Sequence, residues 1–216
     1  LGVYHLATIT LAHLRESGQL EGEVFKDASL IPYAALLHDI GHYAFSHALE
    51  ELDDNFLLGD HEAVSAQFFN SARMKSALQS LGDNVAEDIH DLIKSESLNP
   101  LRGLVSGSLD LDKIEYLVRD ARFCGVPYGE VDVDRLIQGM LVLKDPASGT
   151  IEVGIHEKAV AALESLLFAK YQMFRNVYWH HGVRAASALY KRIVYEAVGA
   201  GLLTKEELVG PTDEEL

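Results

Sequence analysis

Residues 34–50 read AALLHDIGHYAFSHALE, an apolar run that ends in His38-Asp39 and continues through Gly41-His42 to Ser46-His47. Three histidines and a carboxylate within ten residues, directly after a buried-looking segment, need a chemical reason, because burying imidazole or carboxylate without a partner costs several kcal/mol. A metal ion supplies one. On a helix, His38 and Asp39 flank one direction and His42, four positions on, returns to the face of His38, so that a nitrogen and an oxygen converge on one cation. Gly41 is expected to break the helix and let the chain double back, with Ser46 as N-cap of a following helix through Leu49 and Leu52. His42 and His47 then look into one hollow. Taken singly, each histidine reads as a hydrogen-bonded or solvated side chain; six positions fixed in a ten-residue window point to a metal instead.

A second stretch, residues 106–125, reads SGSLDLDKIEYLVRDARFCG. Leu111, Ile114, Leu117 and Val118 form the buried stripe of a helix, while Asp112, Tyr116 and Asp120 recur every four residues on another face. Alone, Asp112 is a carboxylate favoured by the N-terminal dipole. His61-Glu62 opens another helix, with Val64, Phe68 and Phe69 as its apolar positions, and Glu62 is again favoured by the dipole.

Working outward, residues 3–16 repeat apolar positions at helical spacing, with His5 and His13 as surface or packing residues. Glu21 to Asp27 is a polar connection, and Ala28 to Asp39 is the helix that delivers His38-Asp39, with Pro32 near its start. Asp53 to Asp60 is a loop. Residues 71–98 form one or two helices broken near Gly82-Asp83-Asn84, with Asp88, His90, Asp91 and Glu96 on a solvated face. Leu141 to Leu143, a DPASG turn and Ile151 to Ile155 predict a β-hairpin. The pattern is helical again from His156, and TKEEL after Leu203 reads as a last helical segment. The fold class is therefore all-α, one mainly helical domain over 1–216 with a small hairpin near 141–155. Between Glu164 and Glu196 no acidic residue occurs, yet Lys170, Arg175, Arg184, Lys191 and Arg192 do. That face meets something anionic or packs against acidic helices.

A net charge of -15 argues against a general nucleic-acid-binding surface, which needs clustered Lys and Arg. A small phosphorylated substrate needs only local positive charge. The single cysteine, Cys124, gives no disulfide framework and suits a reducing cytoplasm. No run reaches about 18 apolar residues, so no membrane span is expected. The chain opens at Leu1 inside an apolar-periodic segment and stops at Leu216 in a charged one, and reads as a piece of a longer protein.

HDIGHYAFSH together with LDLDKIEYLVRD resembles the signatures of the HD-domain metal-dependent phosphohydrolases, in the dGTPase-like branch of deoxynucleoside triphosphate triphosphohydrolases. The resemblance implies that His38, Asp39 and Asp112 bind a metal. The family's fourth ligand is a histidine just before the segment matching Leu1-Gly2-Val3, so the chain carries three of the four. His42 and His47 match positions near the α-phosphate, and His61, supported by Glu62, matches an acid/base position. Lys113 matches a triphosphate-contacting lysine with Tyr116 beside it, and Asp120 a contact to the sugar 3'-hydroxyl. Lys170 stands where relatives carry an arginine for the γ-phosphate, and Tyr178 matches a ring packed on the deoxyribose. Two departures bear on the substrate: Lys170 lacks the bidentate fork of arginine, and Trp179-His180-His181 differs from the family around the base. The implied activity is hydrolysis of a dNTP to deoxynucleoside and triphosphate, with one divalent transition metal (Mn, Fe, Zn, Co or Ni) and Mg accompanying the substrate. A cytoplasmic homo-oligomer is also implied. Two alternatives stay open, a phosphohydrolase acting on nucleotide monophosphates or other phosphate esters, and a non-catalytic nucleotide-sensing module.

Overall fold

Several helices of this chain begin at a side chain that caps them. Asp60, Ser71, Asp110 and Asp132 each accept from the backbone N–H three residues on, those of Ala63, Met74, Lys113 and Arg135, satisfying donors that have no partner inside the helix. The computed structural model describes residues 1–45, 47–52, 56–94 and 97–215. The expected cap Ser46, Asp53 to Asn55 of the expected loop, and Glu96 of the expected solvated face lie outside the described residues. The helices are α1 (Gly2–Glu16), α2 (Ile31–Leu37), α3 (His47–Glu50), α4 (His61–Phe69), α5 (Ala72–Leu78), α6 (Val85–Ile93), α7 (Leu111–Cys124), α8 (Val133–Gly139), α9 (Val160–Met173) and α10 (His181–Gly199). Strands β1 (Met140–Lys144) and β2 (Ile151–Ile155) pair antiparallel, with Met140 opposite Ile155 and Lys144 opposite Ile151. The architecture is mainly helical with one small hairpin among the described residues, as the periodicities predict. Its turn is held by Asp145, whose carboxylate accepts from Ala147 N (2.9 Å) and Ser148 Oγ (2.6 Å).

The chain divides into two compact units, one of Leu1–His38 with Asp88–Val177, the other from Asp39 to Glu87 and from Tyr178 on. In the first, α1 packs on α2 and α7, and α7 packs on α9. Leu14, Ile31, Leu111, Ile114, Leu117 and Met173 are fully buried there. Each fully buried Leu or Ile is worth about 1.5–3 kcal/mol. In the second, α10 packs on α3, and Tyr43, Leu49, Leu57, Val64, Val194 and Leu208 form one core. No helix among the described residues is long and apolar enough to cross a membrane.

Four expectations need correction. Ala28 to Asp39 is not one helix: tight 3-10 turns span Glu23–Leu30, and α2 ends at Leu37. His38 and His42 therefore do not share a helical face. The turn over residues 38–41 instead brings Gly41 against α4, where a Cβ would run into the His61 carbonyl oxygen and come within 2.7 Å of Ser65 N; only glycine fits that approach. On α7 the buried stripe is completed by Ala121, while Val118 is exposed. TKEEL forms a single 3-10 turn, Glu206–Leu208, fastened by Glu207, whose carboxylate accepts from Thr204 N and Oγ1, each at 2.9 Å.

Candidate active site

In the first unit, His38 follows the last residue of α2. Its Nδ1 lies 2.8 Å from the Ala35 carbonyl oxygen, so Nδ1 donates and Nε2 carries the lone pair, the tautomer a metal ligand needs. That Nε2 stands 3.6 Å from Asp112 Oδ1, although 74 positions separate the two residues. The distance is longer than a hydrogen bond. It is close to the separation of about 3.0–3.5 Å between two ligands that share one ion at about 2.0–2.2 Å. The donor set thus fits a divalent metal. Asp39, next in the chain, is the first residue of the second unit.

Asp112 owes its place to its neighbours. Asp110, buried at 6% exposure, caps α7 through Lys113 N at 2.9 Å and pairs with the Lys113 ammonium. The same ammonium donates to the Gly107 carbonyl at 2.6 Å. Lys113, expected on a triphosphate, here locks the turn that presents Asp112. One turn further, the Tyr116 hydroxyl is pushed up to about 12, first by burial and then by the carboxylates of Asp112, Asp110 and Asp120. It therefore remains a proton donor throughout the physiological range. Asp120 pairs with Arg119 at 3.1 Å, and the Lys170 ammonium on α9 lies 5.8 Å from the Phe174 ring centre.

In the second unit His42, His47 and His61 gather around Glu50, a residue to which sequence reasoning assigned no chemistry. His47 and Glu50 sit three apart on α3 and share a face, with His47 Nδ1 2.8 Å from Glu50 Oε2. His61, the first residue of α4, places Nδ1 3.2 Å from Oε1 of the same carboxylate, and His42 Nδ1 is 3.0 Å from that oxygen. The other nitrogen of His42 stands 3.2 Å from Asp39 Oδ1. The rings of His42 and His61 stack at 4.4 Å, and His47 meets His42 edge-on at 4.7 Å. Burial pushes the Glu50 carboxyl up, but the hydrogen bond from His47 and the charges of His42, His47 and His61 outweigh it, and the net displacement is downward. Glu50 is ionised at neutral pH. His47 is 77% exposed at its side chain, so its ring reaches solvent while Nδ1 stays tethered. Of Glu62, the expected support for His61, the backbone carbonyl accepts from Ser65 Oγ at 2.7 Å. Tyr178 is half-buried where the chain re-enters this unit.

The His47-x-x-Glu50 spacing could have revealed Glu50, since one turn of helix aligns the pair. Nothing comparably local points to its contacts with His42 and His61.

Residues 1–115 match the family model described as HD domain, and residues 131–216 match one described as HD associated region. An uncharacterized protein of Methanocaldococcus jannaschii is 32% identical over 91% of this chain and 40% of its own length. A deoxynucleoside triphosphate triphosphohydrolase SAMHD1 homolog of Dictyostelium discoideum is 27% identical over 83% of this chain and 36% of its own. The crystal structure of a phosphohydrolase from Bacteroides thetaiotaomicron superposes with a TM-score of 0.74 at 29% identity, over 91% of this chain and 45% of that one. The chain spans less than half the length of each of these relatives.

Proposed function

The chain belongs to the HD domain family, and on that premise we propose that it carries the active site of a metal-dependent phosphohydrolase that cleaves a dNTP into deoxynucleoside and triphosphate. The observation that carries the reading is the approach of His38 Nε2 to Asp112 Oδ1 at 3.6 Å, with the opposite imidazole nitrogen committed to Ala35. His38, Asp39 and Asp112 would hold the metal. When bound, a divalent ion there supplies Lewis-acid polarisation of a phosphoryl oxygen and orientation of the substrate.

The chain's own groups then manage the proton. Ionised Glu50 holds His47 by Nδ1, so Nε2 of that exposed ring is the atom aimed outward, able to protonate the departing 5'-oxygen. General-acid help of this kind is worth about 10²–10⁴-fold. His61 and His42 complete the shell around Glu50 and stabilise its negative charge as the proton moves. Lys113, Tyr116, Asp120, Lys170 and Tyr178 would bind the nucleotide, with Tyr116 donating from a hydroxyl that stays protonated. Similarity to the Dictyostelium triphosphohydrolase supports this substrate class.

A second reading, hydrolysis of a nucleotide monophosphate or another phosphate ester, is favoured by one observation: Lys113 is already engaged by Asp110 and Gly107. Comparing kcat/KM of the full-length protein for dNTPs, dNMPs and p-nitrophenyl phosphate, with Mn²⁺ supplied, separates the two. The triphosphohydrolase reading expects dNTPs to lead by at least about 10²-fold, since a triphosphate offers charged contacts worth about 1.5–3 kcal/mol each. A lead for dNMPs would move the protein to the second class.

A further inference from the structure

Phe45, two residues before His47, has φ 56°. A bulky side chain rarely adopts that left-handed conformation, and it persists only where the surroundings over-determine it. Three ties do so. Phe45 N donates to Asp213 Oδ1 at 2.7 Å, the Phe45 ring meets Tyr190 edge-on at 4.8 Å, and the Tyr190 hydroxyl donates to the Ala44 carbonyl at 3.2 Å. All come from the part of the unit that follows Tyr178. The segment bearing Asp213 is fixed in turn: Leu208 is fully buried in the core that contains Leu49 of α3, and Thr212 N donates to Glu215 Oε2 at 2.9 Å across the turn that holds Asp213. On its other side, the Phe45 carbonyl accepts from Ala48 N at 3.1 Å, joining the Phe45 peptide to the helical turn of His47 and Glu50.

We propose that Asp213 is a positioning residue for His47: by holding the Phe45 peptide in its left-handed conformation it fixes the start of α3, and with it the direction in which His47 faces. The inference rests on the reading of His47 as general acid. Burial, followed by the charge of Asp213, pushes the Tyr190 hydroxyl up to about 12, which keeps that hydroxyl a donor to Ala44. Asp213 touches no reacting group, so its effect must be transmitted through the backbone.

Steady-state kinetics and ¹⁵N-histidine NMR of the full-length protein test this. Asp213→Ala is expected to lower kcat on dGTP by about tenfold, since misplacement of a catalytic group by about 1 Å costs up to about 10²-fold, with KM within about twofold. The His47 Nδ1 signal should shift away from its hydrogen-bonded position. Asp213→Asn, whose amide oxygen still accepts the Phe45 N–H, is expected to keep at least half the activity and the wild-type signal. Phe45→Gly combined with Asp213→Ala should return kcat to that of Phe45→Gly alone, because glycine holds positive φ unaided; this comparison also decides the matter if Asp213→Ala does not fold. A wild-type His47 signal and wild-type kcat in Asp213→Ala, or equal losses in the Ala and Asn variants, would overturn the proposal. If the wild-type protein turns over no nucleotide, the functional reading fails, while the His47 signal still decides the role of Asp213.

Discussion

The Asp112→Ala protein is expected to fold and to bind no stoichiometric divalent metal. Folding should survive because the cap of α7 is Asp110, not Asp112, so the substitution removes only a first-turn carboxylate worth about 0.3–1 kcal/mol. Metal binding should not survive. Asp112 places a carboxylate oxygen 3.6 Å from His38 Nε2, and with it gone only His38 and Asp39 of the three grouped donors remain. Elemental analysis of the full-length variant after dialysis, beside a thermal melt, reads both expectations. Wild-type metal content in a folded Asp112→Ala protein would remove Asp112 from the metal site.

The second large effect is expected at Glu50. Glu50→Gln keeps shape and volume but replaces an acceptor-only group with one that carries two donors, so it cannot serve His47, His61 and His42 together. Because the tautomer and direction of His47 depend on that carboxylate, kcat is expected to fall by about 10²-fold or more, while metal content stays at the wild-type level. The sign of the pH dependence follows from the net downward displacement of the Glu50 carboxyl. Ionised Glu50 contributes stability that is fully present above the unfolded value near about 4.3 and is lost as pH falls through the lower folded value. The variant should lack that share of the acid-induced loss of stability. A Glu50→Gln enzyme with kcat within threefold of wild type, a margin of about 0.6 kcal/mol, would exclude Glu50 from the proton-handling group.

Much of the fold is legible because helices and hairpins announce themselves locally. The stripe of Leu111, Ile114 and Leu117 and the turn residues between β1 and β2 carry their own periodicity and punctuation. What escapes is set by long-range contacts. The apolar run before His38 gives no notice that α2 stops at Leu37, and nothing beside Gly41 in the sequence announces that the backbone of α4 passes against it. Nor does any glycine or asparagine mark the left-handed residue at Phe45, whose backbone N–H donates to Asp213 from 168 positions away.

The candidate site divides in the same way. His38, His42, His47 and His61 stand out as residue types in a pattern, and the single-turn pair His47 and Glu50 was within reach of a spacing argument. The convergence of three histidines on Glu50 needs α3, α4 and the turn at residues 38–41 together, so no window of sequence contains it. Lys113 carries a contact its position in the sequence does not announce: the buried Asp110 three residues earlier pairs with its ammonium.

The most direct test of the central claim is the identity of the product. Full-length protein incubated with dGTP and Mn²⁺ and followed by ³¹P NMR should release intact inorganic triphosphate together with free deoxyguanosine, because water adds its oxygen to the α-phosphorus as the Pα–O5' bond breaks, so the three phosphates stay joined while the protonated 5'-oxygen leaves with the nucleoside. Orthophosphate appearing with dGDP would contradict the account.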